Sequence, residues 1–169
     1  MKIFLIGMPG SGKSTIGKSL AIKLNLPFVD LDHEIEKQER RLIKDIFSTS
    51  GETYFRQVES NALKEIALSS SDCVIATGGG APCFHDGISV INNHGISIFL
   101  DVTIDELISR VEKNKDRPLL QSTDKAELRN RLEAIHKSRL ACYQLATYTV
   151  STDDNVDSIL SKINLLPKK

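Results

Sequence analysis

Gly7-Met8-Pro9-Gly10-Ser11-Gly12-Lys13-Ser14 fills every specified position of the spacing G-x-x-x-x-G-K-[ST]. Glycines at 7, 10 and 12 allow a tight backbone whose N–H groups all face an anion, and a helix start behind them adds partial positive charge. Lys13 is placed to reach the β- and γ-phosphates of a nucleoside triphosphate, and Ser14 to offer its hydroxyl oxygen to a magnesium ion. That is the chemistry of holding a phosphoryl donor. It says nothing yet about an acceptor.

Other residues have types suited to the second half of such a reaction. Asp30 and Asp32 stand two apart, so one can hold a metal's water shell while the other takes a proton from an acceptor hydroxyl. Asp32 also suits a helix N-cap. Asp101, after the apolar run Ile96 to Leu100, competes with Asp30 for the metal side, and composition leaves that choice open. Gly78-Gly79-Gly80 loses much backbone entropy on folding, which a chain tolerates where bare backbone must approach something closely, such as a ligand carboxylate or phosphate. Arg56, Arg117 and Arg139 are candidates for bidentate carboxylate or phosphate recognition. Arg117 lies in the polar stretch from about Glu112 to Thr123, beside Pro118, which suits a lid closing over phosphates. Arg129 and Arg131 sit among Lys125, Glu127 and Glu133 and read as a solvated helix face. Cys73, Cys83 and Cys142 lack metal-ligand spacing and read as reduced thiols. The four histidines show no clustering.

These groups need elements to bring them together. Strand-like runs at residues 2–7, 27–30, 73–77, 95–100 and 148–150 alternate with helical patterns, predicting an α/β fold with a parallel sheet. Ile16, Leu20 and Leu24 form a helical stripe behind the glycine loop, and Val156, Ile159, Leu160 and Ile163 form another at the end of the chain. In such sheets ligands collect beyond the carboxyl ends of the strands, where the glycine loop, Asp30 to Asp32, Gly78 to Gly80 and Asp101 all fall. Residues 32–69 exceed one crossover helix, break at Ser48-Thr49-Ser50-Gly51, and are read as a substrate-binding region. With 169 residues, 40% of them hydrophobic, the expectation is one domain over 1–169. The apolar start is a first strand rather than a signal peptide, and no run approaches the roughly 20 apolar residues of a membrane span. Basic and acidic residues number 22 each, so no nucleic-acid or membrane partner is expected, and the chain reads as cytoplasmic.

Taken in order, the phosphate loop, Phe28-Val29-Asp30-Leu31-Asp32, Gly51-Glu52 with Phe55-Arg56, Ile75-Ala76-Thr77-Gly78-Gly79-Gly80, Arg117-Pro118-Leu119-Leu120, and Arg139 with Tyr143 resemble the shikimate kinases of aromatic amino-acid biosynthesis over essentially the whole chain. The resemblance implies a three-layer, doubly wound phosphate-loop kinase fold, with a five-stranded parallel sheet and a lid. It implies ATP as co-substrate, held by Gly10, Ser11, Gly12, Lys13, Ser14 and Thr15, with Arg110 against the adenine and Arg117 on the transferring phosphoryl group. Mg²⁺ would be held by Ser14 and, through water, by Asp30 rather than Asp101. Shikimate would be held by Asp32, Arg56, Arg139 and Gly78 to Gly80, with Asp32, Lys13 and Arg117 as the catalytic set. A monomer is the expected state. A gluconate kinase or another small-molecule kinase of the same fold is the alternative. The absence of an Asn-Lys-x-Asp motif, Asn114-Lys115-Asp116 being followed by Arg117, argues against a guanine-nucleotide switch.

Overall fold

The computed structural model describes residues 1–113, 124–151 and 154–164, with side chains apart from those of 111–113 and 164. All five expected strands form: β1 (Lys2–Ile6), β2 (Phe28–Asp30), β3 (Cys73–Ala76), β4 (Ile96–Asp101) and β5 (Tyr148–Ser151). Every pairing is parallel, in the order β2-β3-β1-β4-β5. Seven helices surround them among the described residues: α1 (Lys13–Leu24), α2 (Leu31–Glu39), α3 (Ile43–Leu68), α4 (Gly87–His94), α5 (Ile104–Lys113), α6 (Lys125–Tyr143) and α7 (Val156–Asn164).

The two-residue period of the strands sorts their apolar side chains to opposite faces. Phe4, Ile6, Ile75 and Phe99 join a core with residues of α2 to α6, while Ile3, Leu5, Val74, Ile98 and Leu100 join another with α1 and α7. The expected stripes on α1 and α7 are the helical side of that second core. Because both faces are covered, the central strand is a continuous apolar run: Ile3, Phe4, Leu5 and Ile6 are fully buried. The result is the expected three-layer α/β arrangement.

The break expected at Ser48 to Gly51 is there as a kink: two helical stretches of α3 meet at Gly51, which alone is out of helical geometry at φ 80° and ψ 172°. A left-handed φ is open to glycine without a Cβ penalty, so Gly51 can redirect the helix and aim the turn that carries Arg56 inward.

Candidate active site

β1 ends under the glycine loop, whose Gly7, Gly10 and Gly12 all have positive φ (138°, 85° and 95°). Gly12 is the N-cap of α1 and makes no side-chain cap bond, so no side chain competes for the helix's amide donors. Lys13 is 8% exposed and its Nζ donates to the carbonyls of Gly7 (3.0 Å) and Met8 (2.8 Å). Arg110, from α5, donates through Nη1 to the Ser11 carbonyl at 2.7 Å and through Nη2 to Glu106. It therefore lies on the outside of the phosphate loop.

β2 delivers the paired acids. Asp30 is the N-cap of α2 and its Oδ1 accepts from the Asp32 amide at 3.2 Å, so the helix cap falls on Asp30, not on Asp32. The other oxygen of Asp30 accepts from the Ser14 hydroxyl at 2.7 Å. A hydroxyl and a carboxylate so joined are hard oxygen donors suited to Mg²⁺, which keeps several of its waters. Ser14 has this bond with Asp30, whereas Asp101 is an exposed residue paired in register with Ser151. Asp32 is exposed to solvent by surface area, yet its Oδ1 lies 2.9 Å from where a Cβ on Gly78 would fall, with protein packed densely around the carboxyl. Burial, and then the Asp30 charge, hold its carboxyl above the ordinary range, with Lys13 and Arg56 pulling the other way.

β3 delivers the three glycines. None has the left-handed φ of the phosphate-loop glycines, so their use is close approach rather than an unusual turn. A Cβ on Gly78 would fall 2.6 Å from Glu59 Oε1 and 2.9 Å from Asp32 Oδ1. One on Gly79 would meet Pro9 at 2.9 Å and Arg139 Nη1 at 3.3 Å. One on Gly80 would fall 2.2 Å from Arg56 Nη1. The bare backbone is thus where Asp32, Arg56, Arg139 and the phosphate loop converge. Tyr143, fully buried and stacked on Phe99, locks it in place through a 2.6 Å hydrogen bond from its hydroxyl to the Gly79 carbonyl.

One member of the site is absent from the sequence expectations. Glu59 is 2% exposed, and its Oε2 accepts from Arg56 Nη1 at 2.7 Å. Burial pushes its carboxyl up while the guanidinium opposes that shift. Its signal in the sequence is the i, i+3 spacing from Arg56 on a helix, which many solvated pairs share. Arg117 and residues 114–123 of the expected lid lie outside the described residues.

A phosphate loop after the central parallel strand, with an acid, two arginines and a glycine backbone opposite it, defines a phosphate-loop kinase with a small-molecule acceptor site. The shikimate kinase family model matches residues 9–165, and the chain belongs to the shikimate kinase family. It is 40% identical over 158 residues to the shikimate kinase of Bacteroides thetaiotaomicron, covering 93% of this chain and 90% of that protein. It is 41% identical over 154 residues to that of Bacteroides fragilis, covering 90% and 86%. The crystal structure of the B. thetaiotaomicron shikimate kinase superposes with a TM-score of 0.89 at 37% identity, covering 97% of this chain and 96% of that one. The Acinetobacter baumannii shikimate kinase in complex with shikimate gives 0.83 at 33% identity, covering 97% and 90%. A Sinorhizobium meliloti gluconokinase, 15% identical with a TM-score of 0.57, shares the fold.

Proposed function

We propose that this chain transfers the γ-phosphoryl group of ATP to the 3-hydroxyl of shikimate, giving shikimate 3-phosphate and ADP. The observation that carries the reading is the convergence of Asp32, Arg56 and Arg139 on Gly78 to Gly80, against Pro9 of the phosphate loop. An acid and two cations gathered on bare backbone suit a small hydroxylated carboxylate, and the donor loop touches the same backbone.

In this reading Arg56 and Arg139 hold the carboxylate while Asp32 orients the ring hydroxyls. Asp32 accepts the proton as the hydroxyl oxygen bonds to the γ-phosphorus and the bond to the ADP oxygen breaks. A carboxyl raised by burial is a better proton acceptor than an ordinary one, although a loose transition state leaves much of its role to orientation. Lys13 leaves its loop carbonyls for the β- and γ-phosphates, and Arg117 neutralises the transferring group from a lid over 112–123. The loop from Gly10 to Thr15 holds the phosphates, and Arg110 borders the adenine. Ser14, and Asp30 through water, would hold Mg²⁺, which would supply positive charge to the phosphate oxygens. Residues 32–69 serve as the acceptor-binding region of a single domain. We take the enzyme to work as a monomer in the cytoplasm, a reading compatible with the fact that no described helix is long and apolar enough to cross a membrane.

A coupled ADP-release assay tests the assignment with shikimate, gluconate and nucleoside monophosphates as acceptors. Turnover dependent on shikimate is expected, and turnover on gluconate alone would replace the acceptor. The lid arm is Arg117→Ala, expected to lower kcat more than it weakens shikimate binding.

A further inference from the structure

Arg56 holds the acceptor's carboxylate in the function proposed above, and its in-plane contacts in the free protein are well defined. Nε and Nη2 donate to one oxygen of Glu52 at 3.2 and 3.1 Å, and Nη1 donates to Glu59 at 2.7 Å. Three of the five N–H donors are used, leaving one on Nη1 and one on Nη2. Such bonds fix the guanidinium within its plane. What sets the tilt of that plane is contact with its faces.

The closest ring is that of Phe84, whose centroid lies 4.3 Å from Arg56 Cζ, against 5.2 Å for Phe55. The two rings differ in kind. Phe55 is 3% exposed and packs on Phe47 at 4.5 Å between centroids, as a core residue does. Phe84 is 38% exposed, so core packing does not account for it. Its backbone is nevertheless closely held: Cys83 N donates to Gly80 O (2.8 Å), Gly87 N to Phe84 O (3.0 Å) and Ile88 N to Pro82 O (2.8 Å). The two residues after it, His85 and Asp86, both have left-handed φ, at 49° and 61°. Two consecutive non-glycine residues in that region are uncommon and costly, and they turn the chain from Phe84 into α4, of which Asp86 is the N-cap.

We propose that Phe84 is a positioning residue for acceptor binding: its ring holds the Arg56 guanidinium plane in the orientation from which the remaining N–H donors meet the acceptor's carboxylate. The geometry permits both contacts together, because an aromatic face engages a guanidinium out of plane and a carboxylate engages it in plane. The inference rests on the function proposed above.

Phe84→Leu keeps apolar bulk without a π face, and Phe84→Tyr keeps the face. For Phe84→Leu the KM for shikimate is expected to rise about tenfold, the size of a partly desolvated cation–π contact, with kcat and the KM for ATP within about twofold. Phe84→Tyr is expected to restore the wild-type KM. The Arg56 Nε–H NMR resonance should keep its position in Phe84→Tyr and move in Phe84→Leu, which removes the nearer ring's share of the ring-current shift and leaves that of Phe55. An unchanged KM and resonance in Phe84→Leu would overturn the proposal. So would equal losses of kcat, ATP affinity and melting temperature in both variants, which mark a purely structural role. A wild-type chain that neither binds nor phosphorylates shikimate would overturn the proposed function and the carboxylate role with it. An active wild type whose Phe84→Leu variant keeps its KM would overturn the role of Phe84 alone.

Discussion

Asp32 and Glu59 are two carboxyls held above the ordinary range, both facing the Cβ side of Gly78, and they differ in what answers their charge. Glu59 has a guanidinium at 2.7 Å to answer its charge. Asp32 has Asp30 beside it, and the cations it feels, Lys13 and Arg56, have other partners. Ionised Asp32 therefore opposes folding. A raised carboxyl keeps its proton to higher pH in the folded state, so that cost is fully present above the folded pKa and vanishes below the unfolded value near 3.8. Asparagine has no ionised form. Asp32→Asn is expected to melt above the wild type at pH 7, with the gain shrinking as pH falls through the folded pKa, which calorimetry at pH 7 and 4 would read. Its kcat should fall about 100-fold or more, with ATP binding almost intact. A wild-type melting point at pH 7, or near-normal kinetics, would contradict this account. Glu59→Leu leaves the Arg56 charge, 9% exposed, without its most buried partner, and should cost about 3 kcal/mol in urea denaturation.

At the scale of elements, the turn from β3 into α4 shows two glycines that are indispensable for different reasons. A Cβ on Gly80 would fall 2.2 Å from Arg56 Nη1, the far end of a long side chain that can move aside. A Cβ on Gly87 would fall 1.9 Å from the Ala81 carbonyl oxygen, where backbone meets backbone. Gly80→Ala should therefore fold nearly as well as the wild type yet raise the KM for shikimate about tenfold, since it displaces the carboxylate clamp. Gly87→Ala should cost about 2 to 3 kcal/mol of stability, as overpacking does. Parallel melting curves and kinetics separate the cases; equal destabilisation by both would show that Arg56 cannot swing away. The kink at Gly51 belongs to this scale too. It lets one helix begin in the 43–50 stretch and still point Arg56 at β3.

In the proposed function the molecule as a whole brings donor and acceptor sites to the carboxyl ends of the strands. β1, between β3 and β4, carries the phosphate loop, and β3 carries the glycines that touch it. In the proposed function the acceptor contacts come from α2, from α3, from the glycines after β3 and from α6, so a bound acceptor would tie together much of one layer. Shikimate at one hundred times its dissociation constant should add about 2.7 kcal/mol of stability, raising the melting midpoint by roughly 5 to 10 °C in a chain of this size. Gluconate at the same concentration should leave the midpoint unchanged. A shift with gluconate and none with shikimate would move the chain to a different acceptor.

The sequence alone determined the donor half and the architecture. A phosphate loop is a local structure, set by glycines, a lysine and a hydroxyl at fixed spacing, and five apolar runs between helical stripes leave few arrangements other than a covered parallel sheet. It also pointed to Asp32, Arg56, Arg139 and the three glycines, because arginines and bare backbone at strand ends are unusual enough to notice. Tertiary structure decided the rest. That Asp30 rather than Asp101 meets Ser14 depends on which strand end lies beside the phosphate loop, and spacing along the chain does not encode this. Glu59 resembled any helical partner of an arginine, and Phe84 any loop aromatic, until folding hydrogen-bonded one to the Arg56 guanidinium and set that guanidinium over the ring of the other. Long-range contacts of this kind follow from packing two layers on a sheet, so no window of neighbouring residues contains them.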